Sequence, residues 1–108
     1  MRRPSKFGAV PTFVDGIRFD SKGEARRWGE LKLLERAGQI RDLERQVPYR
    51  LEVNGELVSK YVADFRYFDR AKSVTVVEDF KGHKTPEYRI KAKLMKALHR
   101  VEILETGA

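Results

Sequence analysis

The sequence of 108 residues contains no cysteine and only two histidines. Without cysteine the chain has no disulfide framework, zinc finger, iron–sulfur cluster or thiol nucleophile, and two isolated histidines do not favour a histidine-based metal site or proton relay. The sequence also lacks an apolar run long enough for a signal peptide or a membrane span. We therefore expect a soluble cytoplasmic protein whose chemistry depends on carboxylates and lysines.

Acidic residues are too few to balance the basic ones. The chain has 23 lysines and arginines against 16 aspartates and glutamates, which gives a net charge of +7. An excess of this size points to polyanionic partners, with nucleic acid first among them. Hydrophobic residues make up 41% of the chain, so a sequence of this length predicts one compact core.

The chain divides into an arm and a domain. Residues 1–20 combine prolines and glycines with basic residues, which favours an irregular basic arm with a short strand around Ile17 and Phe19. Residues 21–108 carry regular apolar patterns and form the predicted domain.

The patterns of the domain predict the order helix, three strands, helix, strand. Three- and four-residue apolar steps indicate the first helix, Asn54-Gly55 is a hairpin turn, and Thr85-Pro86-Glu87 opens the second helix. This order is typical of an α/β fold with a mixed central sheet flanked by helices. The predicted elements are residues 21–37, 46–53, 56–69, 74–81, 85–98 and 101–104, and the predicted apolar stripe of the second helix is Ile90, Leu94, Ala97 and Leu98.

Three parts of the domain carry charges where a solvated surface charge is not expected. Period-two alternation places Asp64 on an apolar strand face, and it places Asp79 and Lys81 on the face of Val77 in the next strand. Glu24 falls on the apolar side of the first helix, at its first turn. We expect these three carboxylates and one lysine to converge.

This set resembles the active-site pattern of the PD-(D/E)xK nuclease superfamily, whose restriction-endonuclease-like core has the order αβββαβ. The pattern consists of Asp64 on one strand, Asp79-Phe80-Lys81 on the next and Glu24 on the preceding helix. Ala63 departs from it, since the name of the motif has proline there, and Glu78 leaves two adjacent acids as candidate metal ligands. Small phage-encoded proteins likened to Holliday junction resolvases show a closer resemblance, which covers most of the chain after the arm through residues 19–25, 61–65 and 78–82.

The triplet of acid, any residue and lysine is weak evidence by itself. It occurs three times, at Asp20-Ser21-Lys22, Glu30-Leu31-Lys32 and Asp79-Phe80-Lys81. The first two fall in the first helix, and only the third lies on a β-branched strand that follows an acid-bearing strand. The combination is therefore more specific than the triplet.

The resemblance implies an endonuclease that depends on magnesium, Mg²⁺, with Mn²⁺ as a substitute. It assigns Asp64, Asp79 and the Phe80 carbonyl as metal ligands, with Glu24 as a further ligand, direct or through water. Lys81 would position the attacking water and stabilise the charge that develops on the phosphate. The auxiliary residues that it implies are Gln46, Glu78 and Lys91.

Basic residues of the second helix recur at helical spacing and predict a phosphate-binding stripe. With the arm and the first helix, the predicted DNA-binding residues are Arg2, Arg3, Lys22, Arg26, Arg89, Lys93, Lys96 and Arg100. No helix-turn-helix or finger is identifiable, so we expect recognition of branched DNA by shape rather than by base sequence. Two symmetric cuts in a junction require two chains, which makes a homodimer in the cytoplasm of a bacterial host the working hypothesis.

Each of these features also has a structural explanation. Ser21 and Glu24 form the pattern of a helix capping box, and ion pairs explain both Asp79 with Lys81 and Asp64 with Arg66. Two other functions therefore stay open: a non-catalytic nucleic-acid-binding module and an adaptor protein of a phage complex. The choice between endonuclease and exonuclease action also stays open.

Overall fold

A computed structural model describes residues 10–107 and confirms the mixed α/β class. Its elements are β1 (Thr12–Val14), β2 (Ile17–Phe19), α1 (Lys22–Arg36), β3 (Ile40–Val53), β4 (Glu56–Asp69), β5 (Val74–Phe80), α2 (Pro86–His99) and β6 (Leu104–Thr106). From α1 onward this is the predicted order. Neither helix within residues 10–107 is long and apolar enough to cross a lipid bilayer.

The main sheet has the order β3-β4-β5-β6, in which β3, β4 and β5 run antiparallel and β6 runs parallel to β5. A cluster around Leu31 and Phe65 packs under α1, and a second cluster around Tyr88 and Met95 packs under α2. In β5, Val77 belongs to the second cluster and its neighbour Val76 to the first. Because successive residues of a strand point to opposite faces, the two helices cover opposite faces of the sheet.

The arm is more ordered than its composition predicts. Strands β1 and β2 form a hairpin around Asp15-Gly16, where φ is 50° and 78°. Phe19 at its end is buried, and its ring centroid lies 6.3 Å from that of Trp28 in α1. The predicted short strand around Ile17 and Phe19 is confirmed as β2. The interpretation of residues 12–16 as irregular needs correction, because a type of turn that favours glycine closes a hairpin there. Residues 1–9 lie outside the described part of the chain.

Strand β3 begins at Ile40 rather than at residue 46. The pairing with β4 shifts between Arg41 and Glu44, and Asp42 between them has a left-handed φ of 56°. Such an irregularity breaks the period-two pattern, so the sequence does not reveal the first part of the strand.

The last strand is Leu104–Thr106 rather than residues 101–104. It pairs in parallel with the last three residues of β5. Val101 and Ile103, whose alternation suggested a strand, instead pack in a loop against the cluster of α2. Their hydrophobicity reflects this packing and not a place in the sheet.

The apolar stripe of α2 differs from the predicted one. Tyr88 and Met95 are buried, whereas Ile90 is 61% exposed and Leu98 is 37% exposed. The large buried ring of Tyr88 determines which face of α2 packs against the sheet. The predicted stripe contained only aliphatic residues and therefore did not include Tyr88. Leu94 is the one predicted stripe residue that packs partly buried against this cluster.

Candidate active site

The candidate site lies where β4 and β5 separate. The last paired residues at this end are Phe65 and Glu78. Beyond them the Phe80 backbone N–H donates to Asp64 Oδ2 at 2.8 Å. The Asp64 side chain thus replaces a backbone carbonyl as the acceptor for the Phe80 N–H. This hydrogen bond holds the Asp64 carboxyl beside Asp79.

Among the three carboxyls predicted to converge, Asp79 is the most deeply buried, with 1% of its surface exposed. The Tyr61 hydroxyl donates to Asp79 Oδ2 at 2.5 Å, and Lys81 Nζ lies 3.7 Å from the same oxygen. Burial, followed by the neighbouring Asp64 carboxyl, raises the pKa of Asp79 to about 8. The fold therefore holds Asp79 where its charged form is unfavourable.

Glu24 is also buried, at the first turn of α1. Ser21 Oγ accepts from the Glu24 N–H at 3.1 Å, which confirms Ser21 as the N-cap residue. Burial is the largest reason that the pKa of Glu24 rises to about 7, and repulsion by Asp64 and Asp20 adds to it. Because Asp64 raises the pKa of both Glu24 and Asp79, the three carboxyls are close enough to interact.

Oxygen ligands from this set suit a magnesium ion. Within residues 10–107, no three histidines or acids are arranged as a complete metal-ligand group. Magnesium is usually held by one or two carboxylates, with waters and substrate phosphates as its other ligands. Asp64 and Asp79 supply two such carboxylates, and a cation would remove the repulsion between them. The residues fit Mg²⁺ of this partly hydrated type.

Lys81 lies immediately beyond β5 and is held from two sides. Besides its contact with Asp79, Lys81 Nζ lies 4.6 Å from the centre of the Tyr88 ring. Such a cation–π contact restricts a side chain that is otherwise flexible. The ammonium group is thereby placed next to the paired carboxyls.

Glu78 belongs to the other face of the sheet and is completely buried. Its carboxylate accepts four hydrogen bonds, from Arg27 Nε at 2.6 Å, Arg27 Nη2 at 2.9 Å, the Tyr67 hydroxyl at 2.7 Å and Thr106 Oγ1 at 3.0 Å. These donors join α1, β4 and β6 to β5. Of the two adjacent acids, Asp79 is therefore the one beside Asp64, and Glu78 has the contacts of a structural anchor.

The two other auxiliary residues, Gln46 and Lys91, belong to β3 and α2. Gln46 is exposed and has a left-handed φ of 54°. It lies in β3 between Arg45 and Val47, whose partners in β4 are Phe65 and Ala63, the two neighbours of Asp64. Lys91 lines the same cavity as Lys81, and its Nζ lies 3.1 Å from Glu87 Oε1.

The predicted DNA-binding residues fall on two faces of the molecule. Arg2 and Arg3 lie outside the described residues. The other six are exposed: Lys22, Arg26, Arg89, Lys93, Lys96 and Arg100. The first two belong to α1 and the others to α2 or its C-cap. The four residues of α2 and its C-cap are exposed on one helix. Because the two helices cover opposite faces of the sheet, Lys22 and Arg26 do not extend this stripe.

Sequence reasoning missed Tyr61, whose hydroxyl donates to the buried aspartate of β5. Strict alternation places Tyr61, Ala63, Phe65 and Tyr67 on one face of β4. In the structure the first two pack under α2 and the last two under α1, so the alternation breaks at Asp64. No sequence signal marks this break.

Arg45 is a second residue that sequence reasoning missed. Its guanidinium lies 5.0 Å from the Phe19 ring centre, and its positive charge lowers the pKa of Glu24 against the effect of burial. The side chain also carries a buried Nε with no hydrogen-bond partner among the described residues. The spacing of the sequence offers no signal for this contact, because Arg45 follows the irregular part of β3.

The sequence matches a protein-family model. A family model described as "Protein of unknown function (DUF1064)" matches residues 4–105. Neither the curated proteins nor the solved structures contain a match to the chain. Since the family model covers almost the whole sequence, the chain belongs to the DUF1064 family.

Proposed function

We propose that this protein is a Mg²⁺-dependent DNA endonuclease of the PD-(D/E)xK kind that hydrolyses phosphodiester bonds. The observation that supports this function is the burial of Asp79 against Asp64, with Lys81 at 3.7 Å, where β4 and β5 separate. Buried carboxyls that raise each other's pKa destabilise a fold, and such groups concentrate at functional sites.

Asp64, Asp79 and the Phe80 carbonyl would hold the metal ion, with Glu24 as a further ligand. When bound, the ion neutralises charge on the phosphate and lowers the pKa of water. The chain orients both aspartates for this task, through the Tyr61 hydroxyl on Asp79 and the Phe80 N–H on Asp64. Preformed orientation of this kind reduces the cost of assembling the site.

Lys81 has the role of positioning and charge stabilisation. Its ammonium group offers hydrogen-bond donors and no acceptor, so it can bind an attacking water or a phosphate oxygen. The contacts with Asp79 and the Tyr88 ring keep it at the site before substrate arrives.

DNA is the substrate that the charge of the molecule favours. The chain carries a net charge of +7, and the outer residues of α2 are exposed and basic. Contacts of this type bind phosphates without reading base sequence. The preference for branched DNA, the action as a homodimer and the cytoplasm of a bacterial host follow from the resemblance to phage resolvase-like proteins.

A cleavage assay tests the proposal. Purified protein is incubated with labelled four-way junction, single-stranded and linear duplex DNA, in Mg²⁺, Mn²⁺ or EDTA. We expect cutting only with metal, and we expect its loss in Lys81→Ala. Lys72→Ala is the matched control, because Lys72 is an exposed lysine in the turn before β5, at the end of that strand away from Lys81. No cutting by the wild type in any metal, or equal cutting by Lys81→Ala, would contradict the proposal.

A non-catalytic nucleic-acid-binding module is the second candidate. The exposed basic residues of α2 favour it, since they do not depend on the carboxyls. This function predicts that DNA binding is unchanged in Asp79→Asn and that no metal supports cleavage. Gel-shift and cleavage measurements on the same samples separate the two functions.

A further inference from the structure

A cavity of about 370 Å³ adjoins the candidate active site, between β4 and the first turns of α2. Its lining includes three lysines: Lys60, Lys81 and Lys91. Tyr61 and Lys81 line it and also contact Asp79, so the cavity is continuous with the site already described. Lys60 has no role in the proposed catalytic set.

The charge of the lining is positive. Glu87 is the one acid among the lining residues, and it pairs with Lys91 at 3.1 Å through a side chain that is 78% exposed. Lys81 also forms an ion pair with Asp79, at 3.7 Å. In the part of the chain that the structure describes, Lys60 takes part in none of the ion pairs. A concave surface with this excess of positive charge attracts an anion.

Phosphate is the anion whose chemistry fits these lysines. A lysine ammonium is a compact charge with three hydrogen-bond donors, which binds phosphate oxygens without requiring one fixed geometry. A phosphate group that contacts Lys60 and Lys91 would lie in the cavity that Tyr61 and Lys81 also line. Both of these residues contact Asp79, so this phosphate would lie next to the candidate active site.

We propose that this cavity binds a phosphate group of the substrate strand beside the one that is cleaved, with Lys60 and Lys91 as its ligands. The statement that this phosphate belongs to the cleaved strand rests on the proposed nuclease function. Binding of phosphate in the cavity, however, can be measured without metal and without cleavage. The two claims therefore fail separately.

The first experiment is an NMR titration of the metal-free protein in EDTA with inorganic phosphate. Backbone signals of Tyr61 and Tyr88 should shift with phosphate, and Lys60→Ala should weaken the affinity about tenfold, the effect of losing one charge-assisted contact. Lys60→Arg should retain the affinity, and Lys72→Ala should not change it. Equal affinities in Lys60→Ala and Lys72→Ala, or shifts confined to the outer face of α2, would overturn the assignment.

The source of the phosphate is tested with short single-stranded oligonucleotides that carry or lack a 5′-phosphate. Equal affinities would support a backbone phosphate, whereas weaker binding without the 5′-phosphate would show that the cavity takes a strand end and would overturn the internal position. Lys60 is exposed, so we expect Lys60→Ala to fold normally, as a thermal melt would show.

Kinetics connect the cavity to the reaction. In Lys60→Ala we expect KM to rise about tenfold with kcat changed by less than about twofold, because the lost contact binds ground state and transition state alike. Lys81→Ala should lose kcat instead. An unchanged KM in Lys60→Ala would overturn the assignment. If the wild type cuts no DNA, the proposed function fails, and the phosphate titration still decides whether the cavity binds phosphate.

Discussion

Replacing Asp79 with asparagine is expected to stabilise the metal-free protein while it abolishes cleavage. Asp79 is almost completely buried, and burial next to Asp64 raises its pKa from 3.8 to about 8. Asparagine has nearly the same shape, carries no charge and can still accept the hydrogen bond from the Tyr61 hydroxyl. The substitution therefore removes an unfavourable charge without creating a cavity.

The size of the effect follows from the pKa of Asp79. One pKa unit corresponds to about 1.4 kcal/mol, so the environment of this carboxyl costs the metal-free fold at most about 4 kcal/mol at pH 7. Asparagine loses the contact with Lys81 at 3.7 Å, which offsets part of the gain. We expect the free energy of unfolding to rise by about 1–3 kcal/mol at pH 7.

The pH dependence has a defined sign. Between the unfolded pKa of 3.8 and the folded pKa of about 8, the native state binds more protons than the unfolded state does. The stability of the wild type in EDTA should therefore fall as pH rises through this window. Glu24, with a pKa raised to about 7, contributes in the same direction. Asp79→Asn should show a shallower fall, and the two proteins should converge near pH 4.

Urea unfolding in EDTA measures these differences, with the single tryptophan as the probe. The Trp28 ring stacks on Phe65 at 6.0 Å between centroids, so its fluorescence reports the packing of α1 on the sheet. Asp42→Asn is the control, because the Asp42 side chain is 71% exposed and its substitution should change stability by less than about 0.5 kcal/mol. Loss of stability in Asp79→Asn at pH 7, or the same pH slope as the wild type, would refute the reasoning.

Two further substitutions test the structure around the site. Arg27→Ala leaves the buried Glu78 without its bidentate partner and should lower the free energy of unfolding by about 3–5 kcal/mol, and the double variant with Glu78→Gln should recover part of the loss in urea titrations. Gly23→Ala places a new Cβ in steric overlap with Phe80 Cζ. It should therefore displace that ring, cost about 1–3 kcal/mol and reduce cleavage, because the Phe80 carbonyl is an assigned ligand. Unchanged stability in Arg27→Ala, or unchanged cleavage in Gly23→Ala, would contradict these contacts.

The order of the fold was predictable because each element has a local signal. Ser21 and Thr85 cap the two helices, and Asn54-Gly55 forms the turn of the long hairpin. The predicted buried face of α2 was wrong, because the helix buries the ring of Tyr88 and leaves Ile90 exposed. Local patterns identify an element better than they identify which of its faces tertiary packing selects.

The main residues of the candidate site were predictable for a different reason. Asp64 and Asp79 lie on neighbouring strands, so strand order alone brings them together. Tyr61 was missed because the alternation of β4 breaks at Asp64. A break of this kind depends on the paired strand and on both helices, and none of these contacts is local in sequence.

The central claim, metal-dependent endonuclease action, is tested most directly with a covalently closed circular DNA. A circle has no ends, so only an enzyme that cuts internal phosphodiester bonds converts it to the nicked form. The account predicts nicking in Mg²⁺, none in EDTA, and loss of nicking in Asp64→Asn and Asp79→Asn while both variants remain folded. A circle that stays intact with the wild-type protein in Mg²⁺ and Mn²⁺, or that Asp79→Asn nicks at the wild-type rate, would contradict the account.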